Sequence, residues 1–184
     1  MELTKPSPQN LECEVAVLGA CILENNAIFE IVDVLTPEMF FGAKHQIIYR
    51  CLVDMFRSGE NIDMLTVVNH LRSKNELEII GGAIAINELT NRIMSSANIE
   101  AHAAAVREAW MKRAFIELGM KLTQKAQEDC EEVNTLIEFS DKELLKISNY
   151  FFGKNKIEHL SVFVNQAAEE TQNKIKANRE GIMY

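Results

Sequence analysis

The chain has 184 residues, a formal net charge of -8, 47% hydrophobic and 25% charged residues, a composition that excludes a fibrous or wholly disordered protein. No apolar run approaches the roughly 20 residues that span a bilayer, and the opening Met-Glu-Leu-Thr-Lys has neither the basic nor the apolar region of a signal peptide, so the expectation is a cytoplasmic protein with no membrane partner. Residues 1–104 carry seven Lys or Arg against fourteen Asp or Glu, and residues 105–184 twelve against thirteen. An acidic first part is a poor grip for duplex phosphates, and a protein with a basic face suits it better.

Residues 8–23 read as the first helix. Asn10 can cap it, Glu12 and Glu14 favour its positive end, and Leu11, Val15, Leu18 and Ile22 share one face. After Glu24-Asn-Asn, residues 27–35 resume the pattern with Ile28, Ile31, Val32 and Leu35. Thr36-Pro37-Glu38 then supplies a cap residue, a first-turn proline and an acid, so a further short turn is expected to carry Met39, Phe40 and Phe41 into the core.

Residues 44–58 form a helix by the recurrence of Ile47, Ile48, Cys51, Leu52, Met55 and Phe56, stopped by Gly59. Asp63 can cap the next, with Leu65, Val68 and Leu71 inside, ending at Ser73-Lys-Asn75. Residues 77–80 read as a short extended piece before a Gly81-Gly82 turn and a helix over 83–92. These elements make a compact six-helix head.

Ser96 is a cap for a helix running from Ala97 to about Asp129, with Gly119 as a candidate bend. An acidic turn over 128–132 separates it from a helix over 134–151, in which Ile137, Leu144, Ile147 and Phe151 form an apolar stripe. Two long helices joined by a short polar turn make an antiparallel hairpin whose apolar residues exceed what two helices can hide. Trp110, Phe115, Leu118, Leu122, Leu144 and Ile147 are the candidates for an interface with a second copy of the chain. Burial of Trp110 and Phe115 against the head is the simpler alternative. Gly153-Lys154-Asn155 reads as a linker, and residues 157–178 as a helical arm. Leu160, Phe163, Val164, Ala167, Thr171 and Ile175 give that arm a stripe too thin to fold alone, suited to docking on another domain or subunit. The expected domains are therefore a head over 1–104, a hairpin over 105–152 and a linker with its helix over 153–184.

The chemistry-bearing residues do not assemble into a catalytic pattern. Gly153-Lys154 is followed by Asn155, and Ser148 stands where a P-loop needs its first glycine. His45, His70, His102 and His159 lie on different predicted elements, and Cys13, Cys21, Cys51 and Cys130 lack metal-site spacing. The cysteines read as reduced, mostly buried small hydrophobes. Glu12 with Glu14, and Glu131 with Glu132, read as carboxylates explained by helix ends and solvent. No catalytic residue, metal ligand or resident cofactor is expected.

Pro8-x-Asn-Leu-Glu-x-Glu-x-x-Val-Leu-Gly19 resembles the start of DnaB-type replicative DNA helicases, and further pieces follow in family order. They are Phe40-Phe41 with His45-x-x-Ile48-Tyr49, Gly59-x-x-Ile62-Asp63-x-x-Thr66, Gly81-Gly82 with Leu89, and Ser96-Ala-Asn98-Ile99. Cys13 stands where alanine is common in the family, Asn61 where proline is, and Ala85 and His102 where tyrosines are frequent. Gly181-Ile182 resembles the residues just ahead of a RecA-like ATPase domain, which would hold the P-loop and use ATP and Mg2+.

The resemblance implies an all-α amino-terminal collar of an enzyme that unwinds duplex DNA 5′ to 3′. It implies pairing with itself within a hexameric ring, binding of the carboxyl-terminal domain of a DnaG-type primase and of a helicase loader, and contact with DNA mainly through the ATPase domain. A free-standing helicase-loading or primosomal adaptor is the alternative, and an all-α hydrolase using the scattered histidines comes last.

Overall fold

The computed structural model describes residues 6–91, 97–127 and 132–152. All regular elements among them are helical: α1 (Leu11–Leu23), α2 (Ala27–Ile31), a 3-10 turn (Pro37–Met39), α3 (Ala43–Ser58), α4 (Met64–Ser73), α5 (Leu77–Ile80), α6 (Gly82–Asn91), α7 (Ile99–Ala126) and α8 (Val133–Phe152). The all-α architecture expected from the sequence is the one found. The chain divides into two compact units, Met1–Ser140 and Asp141–Tyr184. The expected Ser96 cap, the acidic turn over 128–131, the linker at 153–155, and the arm with Leu160, Phe163, Val164, Ala167, Thr171 and Ile175 lie outside the described residues.

The core of the head collects around α1. Val17, Leu18, Cys21 and Ile22 are buried on it, so its inner face runs through Glu14, Val17, Leu18, Cys21 and Ile22. That face is rotated from the expected one: Leu11, placed inside by the Leu11-Val15-Leu18-Ile22 spacing, is exposed. Asn10 does cap the helix, its side-chain oxygen accepting from the Cys13 N–H at 3.2 Å. Beneath α1 lie Tyr49 and Leu52 of α3, with Phe40 stacked at 4.7 Å on Tyr49. Ile99, Ala103 and Val106, spaced three to four apart, bring the first half of α7 onto this core, and α1 packs more closely with α7 than with any other element.

Three further expectations change. Phe41 is exposed whereas Met39 and Phe40 are buried, because the chain turns outward into Gly42 at the start of α3. Leu65 is also exposed, and Val67, Val68 and Leu71 form the inner face of α4 instead. Residues 77–80 form one helical turn rather than an extended piece. Leu77 and Ile80 are buried and Glu78 and Ile79 exposed, the in-out-out-in order of a helix, and Gly81 closes it at φ +105° with its N–H on the Leu77 and Glu78 carbonyls. α7 runs unbroken through Gly119 as one helix of 28 residues, about 42 Å.

Candidate interaction site

The residue that locks the head is Glu14. It is 1% exposed, and its carboxylate accepts from the Phe41 N–H at 2.6 Å, the Gly42 N–H at 3.2 Å and His45 Nδ1 at 2.7 Å. Gly42 is the N-cap of α3 and has no side-chain oxygen to cap the helix, and the carboxylate from α1 takes up the amides of Gly42 and of the residue before it. Burial pushes the Glu14 carboxyl up, but the bonds from His45 and the two amides outweigh it and leave it below the ordinary glutamate value. Glu14 is thus not the solvated first-turn acid that its position in the sequence implied.

Arg113 of α7 completes the arrangement. Its guanidinium donates to the Pro8 carbonyl at 2.8 Å and the Met39 carbonyl at 2.7 Å, and lies 5.5 Å over the Phe41 ring. The start of α1, the segment entering α3 and the middle of α7 are therefore tied at one place. Two of the spaced motifs, Pro8 to Gly19 and Phe40 to Tyr49, meet in it. Beside it, Val15, Lys44, His45, Ile48, Ile80 and Ala85 line a cleft of about 200 Å³.

His70 and His102 have local contacts, while His159 and Cys130 lie outside the described residues. His102 Nδ1 lies 3.6 Å from Cys13 Sγ. His70 Nδ1 lies 3.4 Å from Glu60. Burial pushes the Cys21 and Cys51 thiols up to about 12. Among the described residues no group of three or more His, Cys, Asp or Glu could hold a metal ion.

The six residues expected at an interface separate. Trp110 is half-buried against the head core. Phe115, five residues on and so about 140° around the helix, is 49% exposed. Leu118 is buried and Leu122 half-buried. On α8, Leu144 is exposed and Ile147 buried. Ile116 and Met120 on α7, and Val133, Ile137, Leu145 and Tyr150 on α8, are exposed apolar residues that the sequence reading left out or did not assign to a surface. Their signal was present, since Ile116 and Met120 recur at helical spacing from Arg113, but a stripe does not disclose whether a partner or solvent covers it.

A helical head knitted by a buried carboxylate, continuing into a long helix with apolar side chains turned outward, defines an all-α domain with apolar surface left open to solvent. The family model of the DnaB-like helicase N terminal domain matches residues 6–108, and the chain belongs to that family. The chain is 34% identical over 170 residues to the replicative DNA helicase DnaB of Rhodothermus marinus, covering 92% of this chain and 17% of that protein. It is 33% identical over 145 residues to the corresponding helicase of Treponema pallidum, covering 79% and 33%. It therefore spans between a sixth and a third of these relatives' lengths. The crystal structure of the N-terminal domain of DnaB helicase from Mycobacterium tuberculosis matches with a TM-score of 0.72 at 29% identity, over 77% of this chain and 99% of that one. A solved DnaB-like replicative helicase, studied with its interactions with primase, matches with a TM-score of 0.64 at 28% identity, over 77% of this chain and 31% of that one. Among the described residues no helix is long and apolar enough to cross a membrane.

Proposed function

We propose that this chain serves as the non-catalytic amino-terminal collar of a replicative DNA helicase. It associates with copies of itself and presents the head to replication partners, while an ATPase domain using ATP and Mg2+ carries out 5′ to 3′ unwinding and most DNA contact in the cytoplasm. The observation that carries this reading is the agreement of 77% of this chain with almost the whole of a solved DnaB N-terminal domain. The outward Phe115 on α7 and Leu144 on α8 support self-association, and the acidic balance of the head supports a protein partner over DNA. The partner of first choice is the carboxyl-terminal domain of a DnaG-type primase, since a structurally similar helicase was solved with its interactions with primase, and a helicase loader is the second. The arm over 157–178 would dock on a neighbouring domain.

The test is calorimetric titration of the 184-residue chain with a purified primase carboxyl-terminal domain, alongside an ATPase assay. Saturable binding without ATP hydrolysis is expected. A chain that ignores primase and loader alike, or that hydrolyses ATP alone, would overturn the proposal.

A further inference from the structure

The close of α1, α2 and the start of α4 carry apolar side chains that stay exposed. Leu23 at the close of α1 is 52% exposed, Phe29 on α2 62%, and Met64 and Leu65 at the start of α4 43% and 70%. They belong to one neighbourhood because the loops that bear them are bonded together. Asn25 Nδ2 donates to Asn61 Oδ1 at 2.9 Å, the Ile62 N–H donates to Asn25 Oδ1 at 3.2 Å, and the Phe29 ring meets Phe56 edge-on at 4.8 Å. Each of the four exposed residues lies within four positions of Asn25, Asn61 or Ile62. The same segments carry the carboxylates Glu30, Glu60 and Asp63, with Arg57 at the end of α3 as a cation beside them.

We propose that this end of the head is a docking surface for a basic amphipathic helix of another protein. Its apolar face would cover Phe29 and Leu65, and its Lys or Arg side chains would lie over Glu30, Glu60 and Asp63. Charge selects this occupant. A second copy of the chain related by a two-fold axis sets the same patch against itself, so the acidic residues would meet their own kind. Phosphate surfaces, whether nucleic acid or anionic lipid, face the same repulsion. A basic helix instead supplies both the apolar cover and the opposite sign, the arrangement by which a helix beds in an apolar surface with a charged rim. The inference does not rest on the collar reading.

The experiment titrates the isotopically labelled 184-residue chain with a synthetic amphipathic Leu/Lys helix and follows backbone amide resonances. The controls are a peptide of the same composition in scrambled order and a Leu/Glu helix. Saturable changes confined to residues 23–31 and 56–66 are expected with the Leu/Lys helix alone. Leu65→Ser, at a position so exposed that folding is unaffected, should weaken binding about tenfold, and Glu30→Lys should weaken it while leaving the circular dichroism unchanged. Equal binding of the scrambled or Leu/Glu peptide, changes centred elsewhere, or the same changes produced by raising the chain's own concentration without peptide would each overturn the proposal, the last in favour of a second copy.

Discussion

Glu14 is where one side chain decides most. Removing its carboxylate leaves the Phe41 and Gly42 amides and His45 without their acceptor in a largely buried cluster, so Glu14→Ala should cost about 3 kcal/mol, read from the midpoint of urea unfolding. Its folded-state pKa lies below the ordinary 4.5, so the carboxylate contributes stability that is fully present above 4.5. That contribution is lost as the pH falls from there through the lower folded value. The wild type should accordingly lose stability below pH 4.5, and Glu14→Gln should flatten that acid limb. An unchanged limb would mean that other carboxylates govern it. A neighbouring test concerns Gly42, where a Cβ would come within 2.9 Å of His45 Nδ1, so Gly42→Ala should displace the imidazole and weaken the same cluster. Thiol chemistry gives an independent check. With Cys21 and Cys51 buried and held near 12, iodoacetamide at neutral pH should leave both unmodified until the chain is unfolded, as peptide mass spectrometry would show. None of the Glu14 geometry was legible locally, since its partners stand 27 to 31 positions away. A first-turn glutamate is adequately explained by the helix dipole until the fold brings those partners in. The hint was its phase: Glu14 stands three and four positions before Val17 and Leu18, on the face that turned out to be buried.

At the scale of elements, punctuation was legible and rotation was not. Asn10, Asp63 and Gly59 stand where caps and stops were expected, because a side-chain acceptor or a left-handed glycine acts within a few residues of itself. Asp63 accepts from the Leu65 and Thr66 amides at 2.8 and 2.9 Å while Thr66 Oγ1 accepts from the Asp63 N–H. Asp63→Ala should therefore cost about 1 kcal/mol. The inward faces of α1 and α4 were each misjudged at one residue, Leu11 and Leu65, since an apolar residue at the first turn of a helix satisfies the periodicity even where no other element covers it. Glycines discriminate further. Gly59 sits at φ +70°, whereas Gly119 is helical with nothing within 4 Å of an added Cβ. Gly119→Ala should raise stability by about 0.5–1 kcal/mol and Gly59→Ala should lower it by a similar amount, both visible as shifts in thermal midpoint. Opposite signs at the two positions would show that only Gly59 is needed for its backbone conformation.

For the whole molecule the decisive quantity is how much apolar surface a second copy removes from water. Sequence periodicity located the long helices, but it could not say which flanks the head covers, because that depends on the angle at which α7 leaves the core. Trp110 went inward, with Arg113 three residues later holding the helix to the Pro8 and Met39 carbonyls, and Phe115 on the other flank stayed out. If that flank is where copies meet, burying the half-exposed Phe115 of each chain contributes about 0.75–1.5 kcal/mol per chain and about 1.5–3 kcal/mol for the two together, or roughly tenfold or more in dissociation constant. Light scattering on the 184-residue chain should then show dimers or larger assemblies, and Phe115→Asp should shift the transition to at least tenfold higher concentration. Trp110→Phe, on the flank given to the head, should leave association unchanged and alter only stability. Pairing that survives Phe115→Asp, or fails with Trp110→Phe while the fold persists, would move the interface off this flank and onto the face of α7 that packs on the head core.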